Sequence, residues 1–162
     1  MTMELLKYDQ AYHELIENYR LSENNLRFTI RPRNAVASKA PSRTHILVME
    51  AGRLVTFFTL DYGEDAQRFA QHDHAILIRS FSTDIRHQGK GYAKKALQLL
   101  PQYITKQHTN ITDMVLAVNI QNHTAQKLYE RCGFLDTYQR CEGRNGPLII
   151  MQKKVVEAKQ YT

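Results

Sequence analysis

The chain has 162 residues, 43% of them apolar, and carries a formal net charge of +6 at pH 7. This length and apolar content predict one domain, residues 1–162, with a core of ordinary size. No apolar run reaches bilayer length and the N-terminus lacks the apolar stretch of a signal peptide, so we expect a cytoplasmic protein with no membrane partner. Cys132 and Cys141 are too few for a disulfide framework and lack metal-ligand spacing, which indicates ordinary thiols.

The basic residues are spread along the chain rather than gathered in one block, which does not favour a nucleic-acid partner. A phosphorylated small ligand accounts equally well for the local cluster of Arg86, Lys90, Lys94 and Lys95. A small basic nucleic-acid-binding protein stays an alternative. It would require aromatic residues interleaved on a basic face, and the sequence has no such pattern.

The first third of the chain predicts a strand, a helix and a hairpin. Residues 5–8 form a short predicted strand, and apolar residues recur at helical spacing over about residues 10–19. Residues 20–43 are polar and contain prolines, so we expect only short elements there, in a variable segment that faces the substrate. Residues 45–50 and 53–60 are apolar runs separated by Ala51-Gly52, which is typical of a tight antiparallel hairpin.

A charged segment, residues 61–73, follows the hairpin, and we expect it to be a mobile connection. Its end, His72-Asp73-His74, combines residue types that bind metals, but two histidines in a polar loop are more typical of solvated side chains. We therefore predict no metal site. The segment leads into an apolar strand that starts at Ala75.

The chain is organised around the stretch that follows, in which this strand runs into a basic glycine turn and then a helix that starts near Gly91. The two glycines of Gln88-Gly89-Lys90-Gly91-Tyr92-Ala93 permit positive φ and close approach of the backbone to a ligand. The first N–H groups of the helix lack partners and lie at the positive end of its dipole, so a phosphate gains several hydrogen bonds there. Walker and Rossmann patterns fit poorly, because no Lys-Ser/Thr pair follows Gly91 and the turn lies mid-chain.

A parallel strand pair is predicted around this helix. Pro101 lies inside the helix, removes a hydrogen bond to Leu97 and is predicted to kink or split it. Residues 114–118 are an uninterrupted apolar run, typical of a strand buried on both faces. Strand, helix and strand indicate a right-handed parallel crossover, which places the glycine turn at the carboxyl end of its strand, where ligands bind in open α/β sheets.

The last part of the chain predicts one helix and one hairpin. Asn122 is a candidate N-cap of a helix whose apolar residues repeat at helical spacing until Gly133 ends it. Residues 137–141 and 148–153 flank Arg144-Asn145-Gly146, a strong hairpin signal.

Two motifs at this separation resemble the GCN5-related N-acetyltransferase (GNAT) family: Gln88-x-x-Gly91-x-Ala93 and Asn122-x-x-Ala125-x-x-Leu128-Tyr129-x-x-x-Gly133-Phe134. The first is similar to the acetyl-CoA motif of that family, and the second to its asparagine and helix-borne tyrosine followed by Gly-Phe. The resemblance is close over residues 75–134. It implies an α/β fold, a single-domain mixed, mostly antiparallel sheet with a central splayed parallel strand pair flanked by helices, the acyl-CoA N-acyltransferase fold.

The resemblance also implies a function, an acetyl-CoA-dependent N-acetyltransferase in which a neutral primary amine attacks the thioester directly. The pyrophosphate of acetyl-CoA, the co-substrate, would lie on backbone N–H groups of Gln88, Gly89, Lys90, Gly91, Tyr92, Ala93 and Lys94. The pantetheine arm would pair with the strand around Phe81, Ser82 and Thr83, and Asn122 would contact the cofactor. A backbone N–H near Phe81 or Thr83 would polarise the thioester carbonyl. Tyr129 would protonate the departing thiolate, although packing on the core is an alternative role.

Several points stay open from the sequence. The glutamate that serves as base in some peptide-acetylating relatives corresponds to Ala117, which argues against a protein N-terminus, and Asp84, Glu50, Glu64 or a water chain are weak candidates for the base. The acceptor is a small-molecule or peptide amine whose identity the sequence does not reveal. A homodimer is one option for the oligomeric state. A module of the same fold that transfers another acyl group, or only binds CoA, is the main alternative.

Overall fold

The computed structural model describes residues 2–108 and 110–156. Its centre is a seven-stranded sheet in the order β1-β2-β3-β4-β5-β7-β6. The strands are β1 (Met3–Lys7), β2 (Arg43–Glu50), β3 (Arg53–Asp61), β4 (Ala75–Thr83), β5 (Asp113–Asn119), β6 (Leu135–Gly143) and β7 (Gly146–Lys154). The α-helices are α1 (His13–Glu17), α2 (Glu23–Leu26), α3 (Pro32–Val36), α4 (Glu64–Ala70), α5 (Tyr92–Gln107) and α6 (His123–Arg131). Every neighbouring strand pair is antiparallel except β4 and β5, which confirms the predicted mixed sheet.

Helices cover both faces of the sheet because the side chains of its central strands are buried on both sides. One face packs against α5 and α6 through residues such as Ile76 and Leu97. The opposite face packs against α1 and α3 through Leu47 and Phe57, and against α4 through Leu77. Alternation along each strand sends neighbouring side chains to opposite faces.

The parallel pair is splayed. β4 and β5 pair only from Ala75 opposite Asp113 to Ile78 opposite Leu116. The register between β3 and β4 also shifts there, since Phe57 pairs with Ser82 but Thr59 pairs with Arg79. Ser80 has a φ of 53° within this bulge. A bulge bends its strand and leaves an unpaired residue, and here it accompanies the divergence of β4 from β5.

Residues 61–73, which we expected to be a mobile connection, contain the helix α4, which the sequence did not predict. Ala66 and Phe69 are buried against the sheet, Glu64 and Asp65 lie in the first turn, and Arg68 lies in the last. This charge order complements the helix dipole. The helix has only seven residues, too few for its apolar spacing to stand out among charged neighbours.

Pro101 was predicted to kink or split its helix, and it does not split it, since α5 continues through it from Tyr92 to Gln107. A proline inside a helix costs about 3 kcal/mol relative to alanine. Leu97, Leu100 and Ile104 on either side of it are nearly fully buried in the core. Burial of each such side chain is worth about 1.5–3 kcal/mol, so packing offsets the lost hydrogen bond.

The other predicted elements agree with the structure to within a few residues, including the two hairpins and the helix that Asn122 caps. Cys132 and Cys141 are both free. Within the described parts of the chain, no helix is long and apolar enough to cross a membrane.

Candidate active site

A groove of about 1080 Å³ occupies the gap between β4 and β5. At one end it is lined by the glycine turn and the first turns of α5 and α6, and at the other by α2, α4 and the β6–β7 hairpin. These two ends lie on opposite faces of the sheet, because α5 and α6 belong to one hydrophobic cluster and α4 to another. The groove therefore gives two ligands access to the same gap from two sides.

The glycine turn forms the first end. Gly89 and Gly91 have φ values of 78° and 81°, and Gly91 is the N-cap residue of α5 without a side-chain cap. A Cβ at either position would meet no protein atom within 4 Å. The unpaired N–H groups of a sixteen-residue helix thus adjoin open space, which is the arrangement that an anion requires.

Of the four basic residues near the turn, only Lys94 lines the groove. Arg86 instead binds the carboxylate of Asp84, and Lys95 borders a small depression beside Met3. Lys90 is exposed and does not line the groove. Charge density alone, read from the sequence, therefore overstates how many cations reach the anion position.

Gln88 connects the turn to both sides of the groove. Its side-chain Nε2 donates to the backbone oxygen of Thr83 at 2.9 Å and to Oδ1 of Asn25 at 3.1 Å. Asn25 is part of the capping box of α2, where it pairs with Ser22. Gln88 thus ties the turn to the end of β4 and to a helix at the other end of the groove.

Asp84 fixes the backbone that leads into the turn. Its buried carboxylate accepts hydrogen bonds from the backbone N–H groups of Arg20 and Arg86, at 3.0 and 2.8 Å, and from the Arg86 guanidinium. Burial opposes ionisation, but the hydrogen bonds from Arg86 and Arg20 outweigh it and hold the pKa of Asp84 below its usual value. Asp84 is therefore a poor general base, and it does not line the groove.

We predict that Asp84→Asn destabilises the protein, because an amide accepts fewer of these hydrogen bonds and leaves buried donors unpaired. A loss of about 1–3 kcal/mol is expected, read as the free energy of unfolding in urea. Asp73→Asn is the matched control, since Asp73 is exposed and forms an ion pair with the exposed His74, and it should change stability by less than about 0.5 kcal/mol. Equal stability of the two variants would contradict a supporting role for Asp84.

Tyr129 reaches the gap from α6. It is buried, lines the groove and packs edge-on against Phe81 of β4 at a ring-centroid distance of 6.1 Å. Burial raises the pKa of Tyr129, so its phenol stays protonated at neutral pH. Among the described residues, no group forms a hydrogen bond with its hydroxyl.

The end of β4 presents backbone groups to the gap. The Asp84 N–H donates to the Val55 oxygen on the β3 side, so alternation directs the N–H groups of Thr83 and Phe81 toward the open edge. Ser82 lies between them, and both its backbone oxygen and its hydroxyl contact the buried Tyr19 hydroxyl, at 2.7 and 3.0 Å.

On the β5 side of the gap, the Asn122 side chain accepts a hydrogen bond from the Ala125 N–H and caps α6. Every predicted cofactor residue except Lys90 lines the groove.

The segment that we expected to face the substrate, residues 20–43, contributes to the far end of the groove, and so does the segment of residues 61–73. Glu50 and Glu64 do not line it. Glu50 is buried near Tyr92, and its carboxylate raises the pKa of that tyrosine. Sequence reasoning missed Arg79, whose signal was a charged residue within an otherwise apolar strand.

A splayed parallel pair with a two-glycine turn beside it defines a fold of the acyl-CoA transferase type. The model of the acetyltransferase (GNAT) family matches residues 8–134 of the chain. The uncharacterized N-acetyltransferase YbbJ of Bacillus subtilis (strain 168) is 30% identical over 139 residues, which are 84% of this chain and 87% of that protein. The chain therefore belongs to the GNAT family and is an N-acetyltransferase.

Solved structures share the fold at lower identity. The spermidine N-acetyltransferase of Vibrio cholerae, in complex with CoA and spermine, is 17% identical with a TM-score of 0.69, and the alignment covers 94% of this chain and 95% of that one. The aminoglycoside acetyltransferase AAC(6')-Ib, in complex with coenzyme A, is 14% identical with a TM-score of 0.74, covering 94% and 95%. At these identities the likeness establishes the fold alone.

Proposed function

We propose that this protein transfers the acetyl group of acetyl-CoA to a primary amine by direct attack. The observation that carries the proposal is the groove itself, which joins an anion position at the glycine turn to the gap that contains Tyr129. The CoA and spermine complexes of the structural relatives are consistent with a CoA thioester and an amine as the two ligands.

Residues of the first end would hold the co-substrate. The N–H groups around Gly89 and Gly91 would receive the pyrophosphate, with Lys94 adding positive charge. The free N–H groups of Phe81 and Thr83 would pair with the pantetheine arm as an added strand does. Acetyl-CoA supplies the acetyl group as an activated thioester.

The amine would enter from the end lined by α2 and α4 and form the new C–N bond as the C–S bond breaks. A backbone N–H of Phe81 or Thr83 would donate to the carbonyl oxygen as negative charge develops on it. Tyr129 would give its phenolic proton to the sulfur of the departing thiolate. Asp84, Glu50 and Glu64 lie outside the groove. Of the bases considered from the sequence, water is therefore the one that we propose to take the proton of the amine.

We expect free CoA to stabilise the protein, because a ligand that binds only the folded state shifts unfolding by mass action. At about a hundred times its dissociation constant the gain is about 2.7 kcal/mol, or roughly 5–10 °C in melting temperature for a domain of this size. NAD⁺, which has a pyrophosphate but no pantetheine arm, is the control and should give a smaller shift. A melting curve indifferent to millimolar CoA and acetyl-CoA would exclude the proposed co-substrate.

Release of CoA from acetyl-CoA in the presence of an amine panel tests catalysis directly. Amine-dependent release of free thiol is the expected result. Binding of CoA without any such release would instead favour the alternative of a CoA-binding module that has lost catalysis.

A further inference from the structure

The far end of the groove carries more positive than negative charge. Its lining includes four arginines, Arg27, Arg68, Arg79 and Arg144, and two acidic residues, Asp65 and Glu142. Asp65 is already paired, since its carboxylate contacts Arg68 at 3.0 Å and Arg79 at 3.2 Å. Glu142, on the exposed edge of β6, is the remaining acidic residue of this lining.

Arg79 holds a special position among these arginines. It directly precedes the β4 bulge and points to the face covered by α4, where it meets Asp61 and Asp65. Its side chain is 32% exposed and lines the groove, two residues before Phe81. It is therefore the cation next to the point where β4 and β5 separate.

The guanidinium of Arg79 is only partly used. Its contacts with Asp61 and Asp65, at 3.4 and 3.2 Å, both involve Nη1. Asp61 is shared, because it also accepts from Arg43 at 3.1 Å and from the Gly63 N–H at 2.8 Å. Within residues 2–108 and 110–156, the Nε and Nη2 atoms of Arg79 have no hydrogen-bond partner. A guanidinium edge with two free donors matches a carboxylate in a bidentate arrangement.

We propose that the acceptor is a primary amine that also carries a carboxylate, an amino acid, with Arg79 as the residue that binds the carboxylate. This inference rests on the proposed function. An amine with several positive charges would meet a lining of four arginines and two acids, a net excess of two positive charges, which opposes its binding. A carboxylate instead gains charge-assisted hydrogen bonds and directs its own amine toward the gap.

Matched acceptors test the proposal. The amino acids are compared with their carboxamides, which keep the amine and side chain but lack the negative charge, and with spermidine and kanamycin as polycationic amines. Initial rates of CoA release are expressed per unprotonated amine, because conversion to the amide also lowers the pKa of the amine. We expect kcat/KM for the preferred amino acid to exceed that of its amide by at least about tenfold, the worth of a charge-assisted pair. An equal or faster reaction of the amides, spermidine or kanamycin would overturn the proposal.

A variant assigns the effect to Arg79. Arg79→Gln should raise KM for the amino acid by roughly 10–100-fold and bring the ratio of kcat/KM between the amino acid and its amide close to one. Arg43→Gln is the matched control, because Arg43 shares the Asp61 contact but lies outside the groove; it should preserve the preference for the acid. If Arg79→Gln lowers kcat/KM equally for the amino acid and for its carboxamide, Arg79 is merely structural and the proposal is wrong.

The melting shift with CoA distinguishes failure of the carboxylate inference from failure of the proposed function. A melting shift with CoA, together with turnover of uncharged or polycationic amines only, would overturn the carboxylate inference and leave the proposed function intact. No shift with CoA and no turnover of any acceptor would overturn the proposed function and this inference with it.

Discussion

Gly91→Val is expected to weaken CoA binding by at least about a hundredfold while the protein stays folded. Two charge-assisted hydrogen bonds at about 1.5 kcal/mol each account for a loss of this size. The Cβ would project into open space at the N-terminus of α5, where the N–H groups face the groove. A valine there both fills the anion position and disfavours the φ of 81° that presents those N–H groups. Isothermal calorimetry with CoA measures the change.

Gly52→Val separates the loss of binding from backbone strain. Gly52 lies in the turn between β2 and β3 and has a φ of 75°, and a side chain there would also project into open space. A residue with a Cβ costs roughly 1–2 kcal/mol in the left-handed region, so both variants should melt a few degrees lower. Only Gly91→Val should lose CoA. Unchanged affinity in Gly91→Val, or equal loss in Gly52→Val, would show that the turn does not hold the pyrophosphate.

The first end of the groove could be predicted from the sequence because its determinants are local. Two glycines, the following apolar repeat and Asn122 as an N-cap each act within a few residues of chain. The structure shows these same features at Gly91, where α5 begins, and at Asn122, where α6 begins.

The far end could not be predicted because its parts come from distant segments. Arg79 meets Asp65 fourteen residues away in the chain, and Gln88 meets Asn25 across sixty-three. Such pairs depend on tertiary packing, and no local periodicity encodes them. The helix α4, which brings Asp65 and Arg68 to the groove, was itself missed.

The contacts of Tyr129 are compatible with two roles, a structural side chain and a proton donor. Its ring packs between Phe81 and Phe134, which suits a purely structural side chain. Its hydroxyl, however, lacks a partner among the described residues, and buried phenols usually find one. A thiolate leaving group in the gap would supply an acceptor for that proton, and a neutral phenol has the proton to donate.

Removal of this one hydroxyl is therefore expected to separate the two roles. If Tyr129 is the proton donor, Tyr129→Phe should lower kcat by roughly 10²- to 10⁴-fold, the worth of a positioned general acid, with CoA affinity and melting temperature nearly unchanged. Tyr103→Phe is the matched control, since Tyr103 is a partly buried tyrosine that packs against the same core but lies outside the groove, and it should keep native turnover. Steady-state CoA release from both variants provides the measurement. Near-native turnover of Tyr129→Phe would show that the ring only packs, and that CoA leaves as a thiolate or takes its proton from water.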